Sequence, residues 1–145
     1  MSDRSPDVRI AAPDPYQAVR EELAVLRHQV TGVRGCVVAG VDGLLVLHDS
    51  VSGAEPHDVS ALAAAAHGVS RTCGAVLVHG GFREVTIRNA GGYLAIYAID
   101  DLNLLAVIGD AGLNIARLHL EVRSIIGRLA TRLEAATVRH AGPFG

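Results

Sequence analysis

Lysine is absent from this 145-residue chain; all thirteen of its basic residues are arginine. That absence removes every mechanism that needs an ε-amine, including Schiff-base chemistry and the phosphate-binding lysine of a nucleotide loop. Tryptophan is missing too, and Tyr16, Phe82, Tyr93, Tyr97 and Phe144 are the only phenyl-ring residues. A core must therefore be built from Val, Leu, Ile and Ala. Two cysteines, Cys36 and Cys73, are too few and too widely spaced for a disulfide-stapled scaffold. Both fall on apolar stripes with no adjacent base, so they are expected to be buried hydrophobes and not nucleophiles. The formal net charge of −2 gives no surplus of positive charge with which to neutralise phosphates, so no nucleic-acid partner is expected. The first six residues, Met-Ser-Asp-Arg-Ser-Pro, lack the apolar stretch of a signal peptide. Later apolar runs are broken by Asp42-Gly43 or by His79-Gly80-Gly81. The expectation is a cytoplasmic chain with no membrane insertion.

Catalytic and metal motifs are equally scarce. Seven histidines are present, with His57 and His67 in one helical region and His48 and His79 at strand ends or loops. None forms an i, i+4 ligand pair, and there is no HExxH or paired CxxC. No metal site and no cofactor is expected. Asp100 and Asp101 are adjacent, but successive residues do not share a face, and a turn explains them better than general acid–base work. GxSxG and GxxxxGK[ST] are both absent, so the chain is expected to be no enzyme and to hydrolyse no nucleotide by itself.

What the sequence does contain is patterning. Half of its residues are apolar and only 19% are charged, enough burial to offset chain entropy in a single domain. Residues 1–13 and 138–145 read as flexible tails around a domain at 14–137. Asp14-Pro15 marks a helix start, with Asp14 as cap, Pro15 in the first turn and Gln17 returning a bond to the cap. Tyr16, Val19, Leu23, Leu26 and Val30 then recur at helical spacing. Residues 36–41 and 44–48 are apolar strands around Asp42-Gly43, a hairpin signal whose two central residues both need positive φ. The first of these strands is nearly continuous in apolar character, as in a central strand covered on both faces.

A second helix over residues 56–77 is predicted to bury Val59, Leu62, Ala63, Ala66, Val69, Ser70, Cys73, Val76 and Leu77. Gly68 and Gly74 weaken it, and residues 74–78 read alternatively as a strand. Strands follow at 82–88, 93–99 and 104–108, joined by turns too short for a crossover helix, hence an antiparallel meander. A final helix over 112–137 buries Ile115, Leu118, Val122, Ile125, Ile126, Leu129 and Leu133. Arg117, Arg128 and Arg132 mark its solvated outer face. The order αββαβββα predicts an α/β (α+β) fold, a five-stranded antiparallel sheet flanked by helices.

This order resembles the roadblock or dynein light chain family, bacterial type. So do Gly32-Val33-Arg34-Gly35 before the first strand, the Val41-Asp42-Gly43-Leu44 hairpin, the Ala-rich second helix, and the Tyr93-to-Asp100 strand followed by residues 104–108. Gly68 and Gly74 depart from the family's second helix. The resemblance implies a non-enzymatic homodimer whose sheet continues across the two copies, third strand to third strand, with the second helices packed together. It also implies a small Ras-like GTPase as partner in a bacterial signalling system, with a sensor kinase among the associated components. Two local features agree. Residues 82–88 form an edge unless paired, or else an edge that Arg83 and Glu84 keep solvated. Small residues on the second helix allow close approach. The expected dimer contacts are Ala61, Ala64, Ala65, Gly68, Phe82, Glu84 and Thr86. The surface offered to a GTPase is placed at His57, Asp58 and Arg71. The alternative reading is a small-molecule-sensing domain of similar fold without a GTPase partner.

Overall fold

In a computed structural model that describes residues 13–141, with side chains to residue 138, eight elements follow one another. They are α1 (Gln17–Gln29), β1 (Val33–Gly40), β2 (Leu45–Asp49), α2 (Pro56–Val76), β3 (Glu84–Asn89), β4 (Gly92–Ala98), β5 (Asn103–Asp110) and α3 (Ile115–Ala141). This is the predicted αββαβββα order, and residues 74–76 close a helix instead of forming a strand. The sheet is antiparallel throughout in the order β2-β1-β5-β4-β3. β1 lies inside the sheet, and its residues from Cys36 to Ala39 are fully buried. β3 is an edge.

Several local devices differ from the sequence expectation. α1 starts at Gln17, not at Pro15: the Asp14 carboxylate accepts the Tyr16 N–H at 2.9 Å and pairs with Arg20 at 2.8 Å, while the Gln17 side chain reaches Glu21. Residues 14–17 thus form a turn that leads into the helix. In the β1–β2 hairpin only Gly43 has a positive φ, +89°. Gly40 accepts from Gly43 and donates to Leu44 across a three-residue loop, and Asp42 Oδ1 accepts from the Leu44 N–H. This is a type I turn closed by a left-handed glycine, so Asp42 needs no left-handed backbone. α3 is capped by Asn114, whose side chain accepts the Arg117 N–H at 3.1 Å. It therefore starts three residues after Gly112, and it ends at Ala141, four residues past the expected Thr137. The N-terminal tail expected at 1–13 lies outside the described residues except for Pro13, as do residues 142–145.

Two apolar cores fill the two sides of the sheet. On one side α1 and α3 bury Val19, Leu23, Leu26, Leu118, Val122, Leu129 and Leu133 against Cys36, Val38, Ala95, Tyr97, Leu105 and Val107. Burial pushes the Cys36 thiol up to about 12, which makes it an inert apolar filler. Arg128 and Arg132 are more than a solvated face. Both reach Glu22 of α1, at 3.0 and 3.2 Å, and so tie the two helices together. On the other side α2 lies alone over Val37, Ala39, Ile96, Leu104 and Ala106, and contributes Val59 and Ala63.

Candidate interaction site

One helix cannot cover the second side of the sheet, and the geometry of α2 shows what is left open. Glu55 caps the helix by accepting the His57 N–H at 3.1 Å, and Pro56 occupies the first turn. From there only Val59, Ser60, Ala63 and His67 are buried. The predicted buried stripe is corrected: Leu62, Val69, Val76 and Leu77 are exposed, Leu62 at 56% and Val69 at 67%, and Cys73 is exposed as well. At 100° per residue the predicted set wraps well beyond one face, and among the described residues no helix lies alongside α2 to receive the excess.

Ala61, Ala65 and Gly68 are exposed on the outward crest of α2. Apart from its chain neighbours and the helix's own nearby backbone, no atom of the described residues lies within 4 Å of where a Gly68 Cβ would stand. Ala64 is half-buried and faces the β1–β2 turn, its Cβ 3.6 Å from the Cβ position of Gly43. Beside this crest, Leu62, Val69, Ile87, Tyr93 and Leu94 line an apolar groove of about 600 Å³ between α2 and the β3–β4 hairpin. The sequence reading missed the groove because it assigned Leu62 and Val69 to the core. Their recurrence seven residues apart, offset from Val59, Ala63 and His67, was the available signal.

β3 borders this surface. The Arg83 carbonyl accepts from the Ala98 N–H at 3.0 Å, and Val85 and Ile87 pair with Ile96 and Leu94. In an antiparallel ladder the alternate residues then direct their N–H and C=O groups away from the partner strand. On β3 those residues are Glu84, Thr86 and Arg88. Thr86 is exposed. Glu84 is half-buried, 3.3 Å from His119 and 3.4 Å from Arg123 of α3, and the Tyr97 hydroxyl bonds His119 Nδ1 at 2.7 Å. Burial, with Glu84 nearby, holds the Tyr97 hydroxyl well above the usual phenol range. Phe82 is half-buried, edge-on to His67 at 5.0 Å.

His57 and Asp58 are exposed at the start of α2, and Arg71 is exposed thirteen residues after Asp58. At 1.5 Å per residue this separation is about 20 Å along the helix. The structure does not gather these three side chains into one cluster. Among the described residues, no three His, Cys, Asp or Glu side chains are grouped so as to hold a metal ion. Among the same residues no helix is long and apolar enough to cross a membrane.

Comparisons with known proteins fit this geometry. The family model described as Roadblock/LC7 domain matches residues 19–109. Among solved structures, a Roadblock/LC7 domain from Streptomyces avermitilis superposes with a TM-score of 0.73 at 19% identity, over 79% of this chain and 97% of that one. The gliding protein MglB from Thermus thermophilus gives 0.74 at 16% identity, over 86% and 95% of the two chains. A structure of MglB with tetrameric arrangement gives 0.78 at 16% identity, over 88% and 96%. No curated protein matches the chain.

Proposed function

The chain belongs to the Roadblock/LC7 domain family, and on that premise we propose that it is a homodimeric, cytoplasmic protein-interaction module that regulates or scaffolds a small Ras-like GTPase in a bacterial signalling system. The observation that carries this reading is the continuous open surface formed by the outward face of α2 and the unpaired edge of β3. Exposed apolar residues on an ordered helix beside an open strand edge are what a protein interface needs, and what an isolated chain avoids.

In the proposed dimer, β3 pairs with β3 of a second copy through the outward amides of Glu84, Thr86 and Arg88, continuing the sheet under two-fold symmetry. Ala61, Ala65 and Gly68 let the two α2 helices approach closely, with Leu62 and Val69 buried beside them. The tetrameric arrangement of the similar MglB structure supports self-association on this fold. The dimer then presents both α2 N-termini, with His57 and Asp58, to the GTPase. Arg71 takes part from the far end of the helix. Such a module acts by positioning the GTPase's own catalytic groups.

The test is calorimetric titration of the purified chain with a small GTPase from the same genome, loaded in turn with GDP and with a non-hydrolysable GTP analogue. State-dependent binding is expected, weakened by reversing charge at Asp58. Equal affinity for both states, or no binding to either, would contradict the proposal.

A further inference from the structure

On the other flank of α2, away from the apolar groove, a second cavity of about 770 Å³ lies between the C-terminal half of the helix, the loop at 77–83 and the β4–β5 turn. It is within the size range of small-molecule sites. His67 lines it and is nine-tenths buried, yet neither ring nitrogen has a hydrogen-bond partner among the described residues. The ring stands edge-on to that of Phe82. Buried polar side chains are normally bonded, and this imidazole, unpartnered among the described residues, gives the cavity wall a polar group free to bond a ligand. Burial and the Arg71 charge hold the ring below its usual value. At neutral pH it is therefore uncharged and offers one donor and one acceptor.

The two charged walls have opposite sign. Arg71, one turn after His67, makes no ion pair among the described residues. Across the cavity, the Asp100 carboxylate is taken by the N–H groups of Leu102 and Asn103 and by the Asn103 side chain. Asp101 has no such partner among the described residues. The space between is apolar, with Val41 and Phe82 on its surface. The wall at the helix end depends on Gly74, since a Cβ there would stand 2.5 Å from the Gly80 carbonyl oxygen. It also depends on the paired bonds that end α2, from the His79 N–H to the Gly74 carbonyl at 2.8 Å and from the Val78 N–H to the Ala75 carbonyl at 3.3 Å.

We propose that this cavity binds a small zwitterion of the α-amino-acid class. Its carboxylate is held by the Arg71 guanidinium and the His67 ring, its ammonium by Asp101, and its side chain rests against Val41 and Phe82. Paired hydrogen bonds from arginine are the geometry that suits a carboxylate. The site is formed by a single chain, and it shares Arg71 with the surface proposed for the GTPase.

The experiment titrates the full chain with each of the standard α-amino acids, and with the amine-only and acid-only analogue of each, by backbone-amide NMR and calorimetry. At least one zwitterion is expected to bind saturably and to shift the Gly80 and Gly81 amides and the His67 ring. Its two analogues should bind at least about tenfold more weakly, as should Arg71→Ala and Asp101→Asn, each of which removes one charge-assisted contact. Both substituted residues are exposed, and unchanged amide spectra elsewhere verify the fold. The proposal is overturned by a panel with no saturable shift, by shifts that map to another surface, by an acid-only analogue that binds as well as its zwitterion, or by affinity unchanged in both variants.

Discussion

The two sides of the sheet are built to different degrees of completion. On the α1/α3 side two helices cover the strands, and Leu23, Leu26, Leu105, Leu118, Leu129 and Leu133 are all fully or almost fully buried. On the α2 side one helix covers the same strands from the other direction. It buries the small residues Ala63 and Ser60 and leaves Leu62, Val69, Val76 and Leu77 in water. Burial of apolar area contributes about 25 cal/mol per Å², so the first side supplies most of the folding free energy. The second keeps a smaller core under α2, and the outward apolar residues of that helix are stabilised only when something else covers them. The difference teaches that folding and association are assigned to opposite sides of one sheet.

The largest expected effect lies on the sealed side. Leu129→Ala should destabilise the chain by about 2–5 kcal/mol, the range for emptying a buried leucine site, whereas Leu62→Ala should change the stability of the monomer by less than about 0.5 kcal/mol. Urea unfolding at protein concentrations low enough to dissociate any dimer measures both, and equal losses would erase the distinction between the sides. Next comes the seam where α2 ends. Gly74→Ala should cost about 1–3 kcal/mol, because the added methyl group meets the Gly80 carbonyl and that backbone must shift. A smaller effect of opposite sign is expected at Val78, a β-branched residue at φ +56° and 88% exposed, where helices commonly end on glycine. Val78→Gly should relieve that backbone cost and raise stability by about 1 kcal/mol. A loss of stability on this substitution would mean that Val78 makes contacts that offset its strain.

The smallest effect is a pH dependence from His67. Burial and Arg71 lower its folded-state value, so the unfolded chain binds this proton more readily. Its contribution is fully present above the unfolded-state value of about 6.5 and declines as pH falls below it. Unfolding free energies of the wild type and His67→Gln, compared at about pH 7.5 and about pH 5, should show the wild type losing more on acidification. An identical loss in both would remove His67 from the account.

Much of this architecture was legible in the sequence because its signals are local. Asp42-Gly43 between apolar runs fixes a hairpin, the short connections after residue 82 fix a meander, and the length of the Leu118-to-Leu133 stripe fixes a helix. β3 was legible as an edge for the same reason. The open face of α2 was not. Whether Leu62 and Val69 are core or surface depends on whether a second helix lies beside α2, and spacing within α2 carries no information about that neighbour. Cys73 was misplaced for the same reason, being exposed where Cys36, on an interior strand, is buried. The cavity beside His67 was hidden more deeply. His67, Phe82 and Asp101 are brought together only by the packing of α2 over the sheet, and the Val78 backbone that shapes its rim does not follow from residue type.

Thr86→Pro offers the most direct test of the division between the two sides. By the ladder alternation the Thr86 N–H points away from β4, so proline there should spare the β3–β4 pairing and remove one amide from the open edge. Light scattering of the wild type and this variant, with circular dichroism on both, should give a wild-type mass twice that of one chain. The variant should have the mass of a single chain and an unchanged spectrum. A wild type that stays monomeric at high concentration, or a folded variant that stays dimeric, would contradict the claim that the α2 and β3 surface is where this chain associates.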